Sequence, residues 1–351
     1  MALKVTIIGA TGYAGGELCR ILLHHPKIEF AHLMAKSSAG TYMREHHPHL
    51  FPLANVLIEP TDIGVAANSD IVFFALPHGQ SGKMTAELRA LGSDALAIDT
   101  AADHRLSDPK EWQHYYHSEP QEPWTYGLPE LRGRDYVQRE QLRDAREIAV
   151  PGCNVTAVTL GLQPAVFHRI VDTSRMVATL AVGYSGAGKA LKPHLTAGVA
   201  IDNAQAYSVG GTHRHIPEIL QNFRVAQPVD APEPQITMTP VLIPAVRGIL
   251  ATLTAPLLDT SIDVHALWKD FYANEPLIDV MPQDTYPTFA QVRGSARAAI
   301  GVTIDKRSGQ LVVISALDNL TKGTATQAVQ SMNIALGLPE DTGLPITGVA
   351  P

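Results

Sequence analysis

The chain has 351 residues, 45% of them hydrophobic and 17% charged, and a formal net charge of −7 at pH 7. This length predicts two domains that each bury a core, and since no segment reaches about 18 uninterrupted apolar residues, we expect no transmembrane span and no membrane partner. The negative net charge and the absence of a long basic run argue against nucleic acid as a partner.

The N-terminal region has the pattern of a strand, a glycine loop and a helix. An apolar run at Val5–Ile8 precedes Gly9–Gly16, and a helical pattern runs from Glu17 to about His25. Glycines at such a junction permit a tight turn and bring backbone N–H groups to a pyrophosphate at the helix N-terminus. The Gly-x-x-Gly-x-x-Gly spacing is not the standard fingerprint, and an ordinary turn is the alternative, but the position after the first strand predicts a dinucleotide site.

The end of the second predicted strand, Ile28–Met34, bears on the choice of cofactor. Folds that prefer NAD place Asp or Glu there to hold the ribose 2′-hydroxyl. Here a cation and two hydroxyl groups follow instead, in Lys36, Ser37 and Ser38. This chemistry suits a 2′-phosphate and predicts NADP, unless Lys36 is only a solvated loop charge.

Two further runs, Asp70–Gly79 and Ala95–Leu106, each predict a buried strand that ends in a loop. The ligand crevice of an open parallel sheet lies beyond the carboxyl ends of its strands, so both loops are expected to face the cofactor. The cluster of His46, His47 and His49 resembles a metal site. Its adjacent spacing and the lack of a nearby carboxylate pair favour instead a loop near the cofactor domain, with no metal.

Cys153 follows Pro-Gly where an apolar strand pattern changes to a helical one, which extends to about Gln163 before Pro164 ends or kinks it. A thiol at a helix N-terminus faces unpaired N–H groups and the positive end of the dipole, which favours the thiolate. We therefore predict a nucleophile; a buried core cysteine is the alternative, and we adopt that interpretation for Cys19. With two cysteines and no signal-peptide layout, we expect a cytoplasmic protein.

Two polar segments follow the predicted helix. Gly183–Lys189, after a predicted strand at Val177–Val182, combines glycines with a lysine and predicts a site for phosphate oxygens, with a flexible connection as the alternative. Gly210–Ile219 precedes a helix whose first turn contains Pro217.

The second of these segments offers partners for the nucleophile. A catalytic cysteine needs a neighbour that titrates near neutral pH, and His213 and His215 both qualify. Glu218 is placed to orient an imidazole, as the third member of a catalytic triad does. Two surface histidines that stabilise the loop are the alternative.

The remaining residues predict strands and two helices. Strands are expected at Ile236–Ile243 and Ile249–Leu257, a helix at Ile262–Tyr272, and a hairpin that joins Ala298–Ile304 to Leu311–Ala316. Asp318 opens a terminal helix with an apolar stripe, which we expect to pack on the first domain.

Together these motifs resemble the N-acetyl-gamma-glutamyl-phosphate reductases, NADP-dependent enzymes of the semialdehyde dehydrogenase type, over nearly the whole chain. The resemblance rests on Gly9–Gly16, Leu76–Gly79, Ala102–Leu106, Pro151–Cys153, Ser185–Gly188, His213–Glu218, Arg247–Leu250 and Asp318–Ala325. It implies an α/β fold with a Rossmann-type dinucleotide-binding domain (1–150, completed by a C-terminal helix at 319–351). It also implies an α+β catalytic and dimerisation domain with a large mixed sheet (151–318), in a homo-oligomer, a dimer or tetramer.

The resemblance further implies reduction of a small-molecule substrate, N-acetyl-L-glutamyl 5-phosphate, to the 5-semialdehyde and phosphate in arginine biosynthesis. Cys153 is then the nucleophile that forms a thioester, His215 the acid/base residue and Glu218 its partner, with His213 as a rival for the role of His215. The residues expected along the cofactor are Gly9, Thr11, Gly12, Tyr13, Ala14, Ser37, Ser38, Pro77, Gly186, Gly188 and Asn319. Those expected at the substrate are Arg105, Ser185, Lys189 and His213.

Two departures from the family pattern leave the acyl group open. Asn154 and Val155 stand where Tyr-Pro is usual, and His104 stands where Phe is common. The asparagine is similar to related reductases that act on carrier-protein-bound aminoadipyl or glutamyl phosphates, although the basic rim that an acidic carrier requires is sparse here. A catalytically silent NADP-binding protein is a third reading, and it would need neither Cys153 nor His215.

Overall fold

A computed structural model describes residues 2–350 and separates them into two units. The first contains the chain through Gly127, Gln141–Pro151 and Thr324–Leu344; the second contains Leu128–Glu140, Gly152–Gly323 and the chain from Pro345 onward. Residues 128–140, expected in the dinucleotide-binding part, therefore lie in the second unit. One reason is the ion pair between Arg139 and Glu275, whose Nη2 and Oε2 atoms are 2.5 Å apart.

The first unit is built on a parallel sheet with the strand order β3-β2-β1-β4-β5-β7-β6. Its elements are β1 (Leu3–Ile8), α1 (Tyr13–Leu22), β2 (Ile28–Ala35), α2 (Met43–His46), β3 (Glu59–Pro60), α3 (Ile63–Ala66), β4 (Ile71–Phe74), α4 (Ser81–Ala90), β5 (Leu96–Asp99), α5 (Pro109–Tyr116), β6 (Thr125–Tyr126) and β7 (Glu147–Ala149). Helix α6 (Gln138–Leu142) crosses from the second unit into the first. The order of β2, β1 and β4 places a topological switch point beside β1, where open α/β sheets bind ligands.

The strands at the centre of this sheet are apolar on both faces. All four residues of β4, Ile71–Phe74, are fully buried, as a parallel strand covered by helices requires. Helix α1 begins at Tyr13, four residues earlier than the sequence pattern indicates, because the glycine loop itself enters the helix.

The second unit contains a mixed sheet with the strand order β12-β13-β14-β11-β8-β10-β9. Its elements are α7 (Cys153–Phe167), β8 (Met176–Gly183), α8 (Ala197–Ala200), β9 (Gln205–Ala206), α9 (Ile216–Ala226), β10 (Ile236–Ile243), β11 (Ile249–Pro256), α10 (Val264–Phe271), β12 (Ile278–Val280), α11 (Phe289–Val292), β13 (Ala298–Asp305) and β14 (Gln310–Leu317). Strand β8 runs parallel to β10 and antiparallel to β11. The two sheets confirm the predicted fold class.

Helix α7 continues through Pro164 to Phe167, so of the two predicted effects of this proline, ending or kinking the helix, the first is wrong. Proline removes one N–H and displaces the preceding turn, which frees carbonyl groups. Here two buried side chains donate hydrogen bonds to the carbonyl groups of this turn. The Tyr272 hydroxyl donates to the Leu160 carbonyl, and Trp268 Nε1 donates to the Gly161 carbonyl at 3.1 Å. The helix is buried against β11, β14 and α9, which explains its apolar character on all sides.

A π-helical turn precedes the last helix, at the point where the chain passes from the second unit back into the first. Residues Thr321–Ala325 form a π-helical turn, in which the Gly323 N–H donates to the Asp318 carbonyl at 2.9 Å. Helix α12 (Thr326–Ala335) follows and packs on α1, β5 and β7 of the first unit. The predicted helix at this end of the chain is therefore present, but it begins later than Asp318.

Candidate active site

The glycine loop of the first unit forms a cradle that side chains would fill. Gly9 has φ +93°, and a Cβ atom there would lie 2.2 Å from the Ala75 carbonyl oxygen. A Cβ atom on Gly15 would lie 2.2 Å from the Gly9 carbonyl oxygen. Gly12 caps α1 without a side-chain hydrogen bond, so the first N–H groups of the helix are available to an anion. This geometry fits the pyrophosphate of a dinucleotide.

The other residues predicted along the cofactor in this unit lie at the start of α1, in the turn after β2 and beyond β4. Thr11 Oγ1 donates to Ser38 Oγ at 3.3 Å, which links the glycine loop to the turn after β2. Ser37 is exposed, and Pro77 lies just beyond the carboxyl end of β4. Tyr13 and Ala14 open α1.

Cys153 is the first residue of α7 and is partly exposed. The preceding Gly152 is extended, with φ −68° and ψ 144°, and its N–H donates to Glu218 Oε1 at 3.0 Å. A Cβ atom on Gly152 would lie 2.4 Å from Nε2 of His215, so the imidazole rests directly against the backbone beside the nucleophile. The structure therefore brings Cys153, His215 and Glu218 together.

The packing of α9 against α7 produces this arrangement. Asn222 on α9 donates to Thr159 Oγ1 on α7 at 3.1 Å, and Pro217 lies in the first turn of α9 as predicted. The Glu218 contact with Gly152 was not predicted. Through it, a buried carboxylate holds the turn that presents the nucleophile.

His213 supports His215 from the loop before α9. Its Nδ1 atom accepts a hydrogen bond from the His215 backbone N–H at 3.0 Å. Burial, and then the charge of Arg214, lower the pKa of His213 to about 4. His213 is therefore neutral near pH 7 and carries its proton on Nε2, because Nδ1 acts as an acceptor.

Tyr207 belongs to the same cluster, and sequence reasoning missed it. Its ring lies 5.6 Å from that of His213, and its hydroxyl is hydrogen-bonded to Asn154. Burial, and then the charge of Cys153, raise the pKa of Tyr207 to about 12, so its hydroxyl group stays protonated near neutral pH. The only sequence signal was its position shortly before Gly210.

The second glycine-rich loop is held by Asn319. Its Nδ2 atom donates to Ser185 Oγ at 2.9 Å, and its Oδ1 atom accepts from the Gly248 N–H at 2.8 Å. Gly186 packs near the same side chain, and Gly188 has φ +83°. Ser185, predicted at the substrate, is therefore a neighbour of Gly186 and Asn319, which are predicted along the cofactor.

The other two residues predicted at the substrate lie at different places in the chain. Lys189 is exposed at the end of the second glycine-rich loop. Arg105 belongs to the first unit, where it is buried and its Nη2 atom donates to the Thr100 carbonyl at 2.8 Å.

A buried ion pair lies beside the nucleophile in the second unit. Lys322 Nζ is 2.6 Å from Glu130 Oε1, and both side chains are fully buried. The next residue, Gly323, packs on Cys153, since a Cβ atom there would lie 2.7 Å from the cysteine Cβ. The ion pair therefore fixes the π-helical turn that forms one wall of the nucleophile site.

We expect Lys322→Met to lower the free energy of unfolding by about 3–5 kcal/mol, because it leaves the Glu130 carboxylate buried without its cation. Urea unfolding measures this change. The double variant Glu130→Gln/Lys322→Met should recover much of the loss, and Arg175→Met, at an ion pair whose arginine is 70% exposed, should cost under about 1 kcal/mol. A Lys322→Met protein as stable as the wild type contradicts this account.

Comparison with known proteins identifies the family. Residues 4–139 match the family model described as "Semialdehyde dehydrogenase, NAD binding domain", and residues 153–319 match "Semialdehyde dehydrogenase, dimerisation domain". The chain belongs to the semialdehyde dehydrogenase family. A semialdehyde dehydrogenase of this type uses a nicotinamide dinucleotide, which agrees with the cradle at Gly9.

Relatives place the chain within that family. A protein of Thermobifida fusca is 48% identical over 356 residues, and one of Saccharopolyspora erythraea is 46% identical over 355 residues. Both matches cover 100% of each chain, and both proteins are named N-acetyl-gamma-glutamyl-phosphate reductase. The resemblance predicted from the motifs is confirmed.

Solved structures share the fold at low identity. Aspartate semialdehyde dehydrogenase II from Vibrio cholerae has a TM-score of 0.69 at 17% identity, with 96% of this chain and 99% of that chain covered. The NADP-bound aspartate semialdehyde dehydrogenase from Candida albicans has a TM-score of 0.67 at 14% identity, with coverages of 95% and 100%.

Residues 2–350 contain neither a membrane-spanning helix nor a cluster of metal-ligating side chains. None of the helices there has the length and apolar character that crossing a bilayer requires. No group of three or more His, Cys, Asp or Glu side chains in this range is arranged to hold a metal ion.

Proposed function

We propose that the protein reduces N-acetyl-L-glutamyl 5-phosphate to N-acetyl-L-glutamate 5-semialdehyde and phosphate, with NADPH as the electron donor, as a step of arginine biosynthesis. The observation that carries this proposal is Cys153 at the N-terminus of α7 with the His215 imidazole against Gly152. A nucleophile beside a general base is the arrangement that acyl transfer requires. The full-length relatives support the choice of acyl group.

In the first step, the Cys153 thiolate attacks the acyl carbon. The new S–C bond forms as the C–O bond to phosphate breaks, and phosphate leaves with that electron pair. The N-terminus of α7 favours the thiolate through the positive end of the helix dipole. A side chain on Gly152 would collide with the His215 ring, and one on Gly323 would collide with the Cys153 Cβ atom, so both glycines are needed for this arrangement.

In the second step, the thioester carbon is reduced. NADPH supplies the hydride when bound in the first unit. His215 then protonates the developing oxyanion, and it removes that proton as the thiohemiacetal collapses to the aldehyde and regenerates the thiolate. Glu218 orients the imidazole in this proposal, while His213 holds the His215 backbone.

NADP is proposed over NAD because of the turn after β2. Lys36, Ser37 and Ser38 follow the strand without an acidic residue that would repel a 2′-phosphate. The remaining predicted contacts also stay proposals: Gly9 to Ala14, Pro77, Gly186, Gly188 and Asn319 along the cofactor, and Arg105, Ser185, Lys189 and His213 at the substrate.

We propose a homo-oligomer, a dimer or tetramer, that forms through the mixed sheet. Alternate side chains of its central strands are exposed or half-buried, although they are apolar or carry only a hydroxyl group: Val177, Thr179, Thr252, Thr254, Val312 and Ile314. A surface of this kind suits burial against a second copy. A thiolate enzyme works best under reducing conditions, which is why we propose the cytoplasm.

An assay of both acyl phosphates tests the proposed substrate. We expect NADPH oxidation with free N-acetylglutamyl phosphate and phosphate-dependent NADP reduction with its semialdehyde, whereas the carrier-protein-bound aminoadipyl or glutamyl phosphate should give little turnover. Faster turnover of the carrier-bound compound would overturn the choice of acyl group while leaving the thioester chemistry in place.

A further inference from the structure

The histidine cluster of the first unit has no part in the reaction above. His46 ends the short helix α2, and His47 follows it with only 5% of its surface exposed. Both rings are engaged by groups of the loops that surround the proposed cofactor site.

His47 is held against the glycine loop. Its Nε2 atom lies 3.1 Å from the Ala10 carbonyl oxygen, and because a carbonyl only accepts, the imidazole must donate there. The ring also covers the start of α1: a Cβ atom on Gly16 would lie 2.2–2.5 Å from three of its ring atoms. His47 thus fixes the glycine loop from its carbonyl side.

His46 acts through Thr41 on the turn after β2, which contains Ser38. Thr41 Oγ1 donates to the Ser38 carbonyl at 2.6 Å, which uses its single hydrogen. The contact of 2.8 Å between Thr41 Oγ1 and His46 Nε2 must therefore be donated by the imidazole. Ser38 is consequently held at its carbonyl by Thr41 and at its hydroxyl by Thr11.

We propose that Thr41, His46 and His47, which we call the histidine brace, are positioning residues for the dinucleotide. The His47 contact orients the loop expected at the pyrophosphate, and the Thr41–His46 contact orients Ser38, expected at the 2′-phosphate. This inference rests on the proposed cofactor. It predicts that the two parts of the brace affect different portions of the ligand, which a general contribution to stability would not do.

Titration of NADPH and NADH fluorescence with four proteins tests the inference. His47→Phe keeps a ring but removes the donor, and it should weaken both dinucleotides about tenfold. Thr41→Val removes both hydrogen bonds at a half-buried position, and it should weaken NADPH about tenfold but NADH less than about twofold. His49→Phe, at the exposed neighbouring histidine, is the matched control and should bind as the wild type does. In each variant, kcat at saturating NADPH should stay within about threefold of the wild-type value.

The outcomes separate the inference from the proposed function. Unchanged affinity in His47→Phe, or equal weakening of NADPH and NADH in Thr41→Val, overturns the brace. Thermal unfolding of each free protein checks that it is folded, and if His47→Phe does not fold, Thr41→Val decides alone. A wild-type protein that binds neither dinucleotide overturns the proposed function instead.

Discussion

Replacement of Cys153 by alanine is expected to lower kcat by at least about 10⁴-fold, since it removes the atom that bonds to the acyl carbon. The affinity for NADPH, measured by fluorescence titration, should stay within about twofold of the wild-type value, because no dinucleotide contact is assigned to this side chain. The Cys153→Ser protein should be almost as inactive, since a serine hydroxyl group ionises far less than a thiol at neutral pH.

Cys19→Ala is the matched control for this experiment. Cys19 is fully buried on α1, and burial raises the pKa of its thiol well above the ordinary range, so it is inert. Its removal should leave kcat unchanged. Turnover by the Cys153→Ala protein within about tenfold of wild type would contradict the nucleophile assignment.

Replacement of His215 by glutamine is expected to lower kcat by about 10²–10⁴-fold, because proton transfer to and from the thiohemiacetal oxygen loses its carrier. In the profile of kcat against pH, the limb that depends on this imidazole should be absent from the variant. The size of this loss and the shape of the pH profile are both measured in steady-state assays at saturating NADPH.

His213→Asn distinguishes the two histidines. An asparagine Oδ1 atom can replace Nδ1 as acceptor for the His215 N–H, and the pKa of about 4 leaves His213 a weak base at neutral pH. We therefore expect kcat to fall by less than about tenfold, with the pH profile retained. A larger loss in His213→Asn than in His215→Gln would exchange the two assignments.

Most of the fold could be predicted from local sequence patterns. The strand at Ile236–Ile243 has the predicted bounds, because alternation of buried and exposed residues is written into consecutive positions. The start of α7 at Cys153 was equally predictable, since Pro-Gly interrupts two apolar runs of different period. Pro164 misled the prediction because the partners that satisfy the freed carbonyls, Tyr272 and Trp268, are about a hundred positions away.

The finer geometry of the site depends on contacts that no local pattern encodes. Glu130 and Lys322 are separated by 192 positions, and neither residue type signals burial. Glu218 was predicted near the nucleophile, but its bond to the Gly152 N–H follows from the packing of α9 on α7. Tyr207 enters the cluster because it follows a two-residue strand that pairs with β10, and its N–H donates to the Pro240 carbonyl at 3.1 Å.

Intact-protein mass spectrometry without NADPH tests the covalent intermediate most directly. After brief mixing with N-acetylglutamyl phosphate and acid quench, the wild-type protein should gain the mass of one N-acetylglutamyl group, and peptide mapping should locate it on Cys153. The adduct should disappear when NADPH is added before the quench. A protein that reduces this acyl phosphate yet acquires no adduct, or acquires it at another residue, contradicts the thioester mechanism.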